Sequence, residues 1–195
     1  MNDGQLAADM KKLTGGLGQL PEPTATPALI VVSGLPGSGK SHFSRRLAER
    51  LPLPIVESDA MRQKLSARPD YSQGESERLF RACHALMDGL LRKGISVIFD
   101  ATNLIESHRE QLYRIADRAG AKLIMVRVEA PPEVIRQRME RRQSGIDPDD
   151  KSDADWQVYK KMSATAERIR RNHFAVDTSK DITPAIEKIV REARR

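Results

Sequence analysis

Ala28-Leu29-Ile30-Val31-Val32-Ser33-Gly34-Leu35-Pro36-Gly37-Ser38-Gly39-Lys40-Ser41 is the stretch whose reading decides the fold. Ala28–Val32 is a continuous apolar run, the pattern of a strand buried on both faces. Gly34–Ser41 then fits G-x-x-x-x-G-K-[ST], the spacing of a phosphate-binding loop. Glycines let backbone N–H groups turn inward around a phosphate. A helix beginning near Lys40 adds the positive end of its dipole. Lys40 is placed to reach the β- and γ-phosphates of ATP, and Ser41 to offer its hydroxyl to Mg²⁺. The alternative is a plain Gly-rich turn. The context argues against it, because Ser41–Leu51 continues as a helix with Phe43, Leu47 and Leu51 on one face.

Outward from this stretch, strands and helices alternate. Pro54–Glu57, Ile95–Phe99, Lys122–Val128 and Phe174–Asp177 read as strands. Helices are expected from Ser58–Asp59, over Gly74–Lys93, Ser107–Ala119, Pro131–Arg142 and Asp155–Arg171, and after Thr183-Pro184. Gln143–Asp155 is polar and acidic and reads as a loop. The pattern predicts an α/β fold with a mainly parallel five-stranded sheet flanked by helices. Residues 1–27 read as a flexible tail broken by Gly15, Gly16, Gly18, Pro21, Pro23 and Pro27, with room for a short helix near Gln5–Leu13. Residues 28–195 form the domain.

Composition narrows the class. In 195 residues, hydrophobic positions are 39% and charged ones 31%, the balance of a folded globular chain. No apolar run approaches the ~18–20 residues of a membrane span, so no membrane partner is expected. Met1–Met10 lacks the basic start and apolar stretch of a signal peptide. The single cysteine, Cys83, allows no intrachain disulfide, which fits a cytoplasmic protein. The net charge of +6 favours anionic partners, although aromatics are only 4% and leave few rings for base stacking. Trp156 and Tyr159 read as the inner face of their helix.

Two further motifs follow the loop. Asp59-Ala60-Met61-Arg62 comes directly after the second strand, at the sheet edge where the phosphate loop lies. There Asp59 can take the proton of an attacking hydroxyl, and Arg62, one turn later, can hold an acceptor's phosphate or carboxylate. The plainer reading leaves Asp59 as a helix cap and Arg62 solvated. Ile95–Asp100 is an apolar strand ending in Asp100, the position that orients Mg²⁺ or its waters. Asn103 with Glu106 fits a capping box.

The remaining nucleotide-binding classes fit poorly. No N-K-x-D guanine-reading motif is present, and Asp117–Gly120 falls at a helix end. Asp100 is followed by Ala101 rather than the Glu of a transport ATPase. Little room is left for the added helical domain of hexameric ATPases.

The loop resembles that of P-loop NTPases. The order G-x-P-G-S-G-K-S, D-x-x-R, D-x-T-N-L resembles the polynucleotide 5′-hydroxyl kinase-like group, which includes zeta-toxin-like and chloramphenicol-phosphotransferase-like enzymes. The resemblance runs from about Ala28 to Asp177. It implies a P-loop NTPase fold with a helical lid over about 131–155. It implies Asp59 as general base and Arg62 as contact to the acceptor's phosphate. The family's R-x-x-x-R pair falls on Arg138 and Arg142, with Arg142 expected at the transition state, Arg138 assisting and Arg141 left open. Arginines there neutralise charge on the transferring phosphoryl group; a solvated basic helix paired to Glu140 is the bland alternative. The resemblance also puts the adenine loop after the last strand, beside Thr178.

Together these readings specify an ATP- and Mg²⁺-dependent kinase acting on a hydroxyl, first a polynucleotide 5′-hydroxyl. The alternatives are an antibiotic, sugar or nucleotide-sugar acceptor, or a nucleotide-binding module that regulates a partner without an acceptor. The sequence leaves oligomeric state open.

Overall fold

The computed structural model describes residues 3–143 and 154–195. In chain order its elements are α1 (Asp3–Thr14), β1 (Ala28–Ser33), α2 (Lys40–Arg50), β2 (Ile55–Glu57), α3 (Ser58–Leu65), α4 (Gln73–Arg92) and β3 (Val97–Asp100). There follow α5 (Glu106–Arg118), β4 (Lys122–Glu129), α6 (Pro132–Gln143), α7 (Trp156–Thr165), β5 (His173–Asp177) and α8 (Thr183–Ala193). The sheet runs β2-β3-β1-β4-β5, and every pairing is parallel.

β1 lies at the centre, which explains its unbroken apolar sequence. Leu29 and Val31 face one core with α4 and α5, while Ile30 and Val32 face the other with α2 and α8. A polar residue on either face would lose water with nothing to replace it. A third, small cluster joins Ile135 and Met139 of α6 to Tyr159 of α7, with Leu35 and Trp156 against it. Trp156 and Tyr159 stack at 4.6 Å. No helix among the described residues is long and apolar enough to cross a membrane.

Three expectations need correction. The stretch read as a flexible tail contains α1, which packs on α3 and α4. Leu13 is fully buried, and Asp9, also fully buried, accepts from Arg78 Nε and Nη2 at 2.7 and 2.6 Å. The short helix allowed near Gln5–Leu13 is therefore present and docked; that partner is remote in sequence, so nothing local announces the docking. Second, the helix expected over Asp155–Arg171 ends at Thr165. Beyond it, Arg109 Nη2 donates to the carbonyls of Glu167 and Arg168 at 3.1 and 2.9 Å, and Glu167 Oε2 accepts from the Glu106 amide at 2.7 Å. These tertiary bonds replace the helical ones. Third, Asn103 does not cap α5: Ile105 holds that position, and Asn103, at φ +46, donates to Val32 O at 3.2 Å. Of the expected loop over Gln143–Asp155, Gln143 closes α6 and Asp155 caps α7, while 144–153, and with them most of the lid's far half, lie outside the described residues.

Candidate active site

The site forms at the C-terminal ends of the strands, where parallel α/β sheets bind ligands. Gly34 and Gly39 show what the loop demands. A Cβ on Gly34 would lie 2.3 Å from Val128 O. Gly39 precedes α2 at φ +89, and a Cβ there would meet Thr178 Oγ1 at 3.0 Å and Arg138 Nη1 at 3.1 Å. The Gly34 amide donates to Thr102 O at 3.1 Å, tying the loop to the end of β3. Lys40 Nζ donates to Leu35 O at 3.0 Å, so the lysine lies across its own loop.

Pro36, Gly37, Gly39, Lys40 and Ser41 line a cavity of about 1090 Å³. Asp59, Arg62, Asp100, Arg138, Arg142 and Thr178 line the same cavity. Among the residues picked out by sequence, Gly34, Leu35 and Ser38 do not face it. Leu35 packs toward α6, and buried Ser38 presents its carbonyl to Thr178 Oγ1 at 2.7 Å. The volume stands at the upper end of the roughly 300–1,000 Å³ of ligand-binding clefts.

Ser41 Oγ donates to Glu57 Oε1 at 2.9 Å, and strand register places Glu57 beside Asp100. Asp100 is buried, and its Oδ2 has no hydrogen-bond partner among the described residues. Burial pushes its carboxyl up to about 6; Lys40 pulls it down and Glu57 pushes it up. A buried carboxylate oxygen without a donor, beside a hydroxyl and a second carboxylate, is a fitting set for Mg²⁺, which takes few protein oxygens and keeps its waters. Sequence reasoning missed Glu57. Its only signal was an acid closing the second strand, next to an Asp closing the third.

Thr178 and Arg138 are bonded to each other and to the phosphate loop. Arg138 donates from Nη1 to Thr178 Oγ1 and from Nη2 to Thr178 O, both at 2.9 Å, and from Nη1 to Gly37 O at 3.3 Å. Burial lowers its pKa. Both residues therefore brace the phosphate loop. Arg142 shares the cavity wall and donates to Ala154 O at 3.3 Å, linking the end of α6 to the approach to α7. Arg141 also lines the cavity, whereas Arg136 is exposed and paired with Glu140 at 3.1 Å.

Asp59 lies in the first turn of α3, where the helix dipole favours its negative form. Arg62 is buried and paired to Glu75 at 2.9 Å. Glu75 is a second residue that sequence reasoning missed. Its other oxygen accepts from the Asp70 and Tyr71 amides at 2.6 and 2.8 Å, and Ser72 Oγ accepts from the Glu75 amide at 3.2 Å. Ser72-Gln73-Gly74-Glu75 has the spacing of a capping box, visible in the sequence, of which the Ser72 half forms, while the Ser72 amide donates to Asp70 Oδ1 at 2.8 Å. The clasp holds Tyr71 at φ +54, a left-handed conformation costing about 1–3 kcal/mol for a non-glycine residue.

A parallel sheet ordered β2-β3-β1-β4-β5, with a phosphate loop leaving its central strand, defines a P-loop kinase fold. The AAA_33 family model, an AAA domain, matches residues 29–169, and the chain belongs to that family. Adenylyl-sulfate kinase of Myxococcus xanthus (strain DK1622) is 29% identical over 111 residues, which is 55% of this chain and 60% of that protein. L-seryl-tRNA(Sec) kinase of Methanococcus maripaludis is 28% identical over 115 residues, 56% of this chain and 44% of that protein. The chain thus spans about half to three-fifths of these relatives. Chaetomium thermophilum Kti12, solved with ADP-AlF3, superposes with a TM-score of 0.67 at 23% identity, covering 85% of this chain and 98% of that one. That likeness concerns the fold.

Proposed function

We propose that the protein is an ATP-dependent kinase that phosphorylates a hydroxyl, with a polynucleotide 5′-hydroxyl as its acceptor. One observation carries the reading: Lys40, Ser41, Asp100, Asp59 and Arg62 line a single cavity. Relatives named as kinases of adenylyl sulfate and of seryl-tRNA support the reaction class. The cavity supports an anionic acceptor, since Lys40, Arg45, Arg62, Arg138, Arg141 and Arg142 line it against the carboxylates of Glu57, Asp59 and Asp100.

The loop amides and Lys40 hold the β- and γ-phosphates. Asp59 takes the proton of the acceptor hydroxyl as its oxygen attacks the γ-phosphorus. The bond from that phosphorus to the bridging oxygen breaks, and ADP carries away the electron pair. Arg142, with Arg138 bracing the loop, neutralises charge on the equatorial oxygens. Arg62 meets the acceptor's phosphate, exchanging part of its pairing with Glu75. Ser41 and Asp100, with Glu57 beside them, would hold Mg²⁺, which when bound supplies neutralising charge to the phosphates. Thr178 secures the loop against β5 on the nucleotide side. We place this chemistry in the cytoplasm.

The test is transfer from γ-labelled ATP to 5′-hydroxyl DNA and RNA oligonucleotides in Mg²⁺. Labelled oligonucleotide is the expected result. Labelled gluconate or nucleotide sugar with unlabelled oligonucleotide would move the acceptor to a small molecule. Nucleotide binding with no labelled acceptor of any kind would contradict the kinase reading.

A further inference from the structure

Among the described residues, only two large hydrophobic side chains are strongly exposed, and both line the same cavity. Tyr71 is 50% exposed and Val158 36%. Phe80 and Met162 line the cavity as well. Tyr71 is further unusual because its backbone is strained at φ +54. Nothing about burial explains the strain, since half the residue remains in solvent. What maintains it is specific: Glu75 accepts the amides of Asp70 and Tyr71, and the Arg62 guanidinium lies over the ring, 4.7 Å from its centre. The ring is therefore held in one orientation on the acceptor side, backed by the residue proposed to bind the acceptor's phosphate.

We infer that Tyr71 is a stacking platform that selects acceptors carrying a flat aromatic ring, and that the ring is the base next to the accepting 5′-hydroxyl. This rests on the kinase reading above and deepens it. Stacking on a tyrosine tolerates any base, because every base has a π-face. The guanidinium behind Tyr71 keeps the ring in place. The adjacency of the two suits a nucleotide, with the Arg62 guanidinium 4.7 Å from the Tyr71 ring centre: Arg62 takes a phosphate while Tyr71 takes the base. A phenyl-bearing diol offers the same ring without the phosphate, and the excess of cationic side chains in the cavity favours the nucleotide. Tyr71 is a specificity residue; it does not touch the transferring phosphoryl group in this scheme.

The experiment uses the full chain, a 5′-hydroxyl trinucleotide with a fluorophore at its 3′ end, and the same trinucleotide lacking the 5′-terminal base. Binding is read by anisotropy with a non-hydrolysable ATP analogue and Mg²⁺, and transfer is read separately with ATP. The wild type is expected to bind the base-bearing trinucleotide about 5- to 150-fold more tightly than the abasic one. Tyr71→Ala should abolish that preference, and Tyr71→Phe should keep it. Equal binding of the two trinucleotides by the wild type overturns the inference, as does an equal loss of both in Tyr71→Ala. Tyr71-dependent transfer to a phenyl-bearing diol alone would keep the ring and reject the base. Base-dependent binding without transfer would leave the platform standing while the kinase reading fell.

Discussion

The two ends of the cavity are built by different means. At the nucleotide end, position is set by backbone. Gly37 and Gly39 take positive φ, strand register sets Glu57 beside Asp100, and loop amides bond to neighbouring carbonyls. At the acceptor end, position is set by a few side-chain pairs. Arg62 with Glu75, and Glu75 with two amides, hold α3, α4 and the Asp70–Tyr71 corner together. Backbone geometry changes only with the fold, whereas a side-chain clasp changes with one substitution.

The largest expected effect breaks the nucleotide end. Lys40→Ala should lower both nucleotide affinity and transfer, with transfer reduced about 10²–10³-fold, as when one charge-stabilising donor is lost; single-turnover rates with labelled ATP would measure it. Glu75→Gln strikes the acceptor end. It leaves Arg62 buried beside a neutral amide, and removing one partner of a buried pair costs about 3–5 kcal/mol. Since the pair keeps some solvent contact, we expect the lower figure, about 3 kcal/mol, in chemical denaturation, with ATP affinity unchanged. A fall in ATP affinity of tenfold or more would show that the two ends are not separate.

The His84 ring centre lies 6.3 Å from those of both Phe80, in the cavity wall, and Phe99 of β3. Burial, helped by His108, lowers its pKa to about 4. The folded value is below the unfolded one, so its stabilising contribution is complete above about 6.5 and is lost as pH falls toward about 4. That loss is of order 3 kcal/mol at its limit. Urea melts at pH 7 and pH 4.5 should show a smaller difference in His84→Phe than in the wild type. The smallest effect concerns α1. Asp9→Asn should cost about 1–2 kcal/mol, because its partner Arg78 is partly exposed. Arg78 holds the Asp9 carboxyl below its usual range, so this contribution is present at neutral pH and lost as pH falls through that lowered value. An unchanged melting temperature in Asp9→Asn would remove α1 from the support of α3 and α4.

The same contrast governs what could be read from sequence. Strand β1, the loop and Asp100 were legible because each depends on local spacing: an apolar run, fixed glycines, an acid at a strand end. Asp59 and Arg62 were legible as a pair one turn apart. Arg62's bond to Glu75 was not, since a capping box announces a helix start and says nothing of a cation reaching it from another helix. The docking of α1 escaped for a similar reason: Leu13 and the ion pair of Asp9 with Arg78 meet partners remote in sequence. The shortened α7 escaped because Arg109 takes its would-be helical carbonyls from α5. Glu57 was visible as a strand end, and its bond to Ser41 depends on sheet order. Thr178 was assigned by resemblance beside the adenine; its bond to the Ser38 carbonyl joins residues 140 positions apart and has no local signal.

The most direct measurement is Asp59→Asn assayed side by side for ATP binding and for phosphoryl transfer to a 5′-hydroxyl oligonucleotide. If Asp59 is the general base at an otherwise intact site, ATP affinity should remain within about threefold and transfer should fall about 10²–10⁴-fold. Transfer that stays within threefold of wild type would contradict the account, leaving Asp59 as a first-turn helix residue and the proton's acceptor elsewhere.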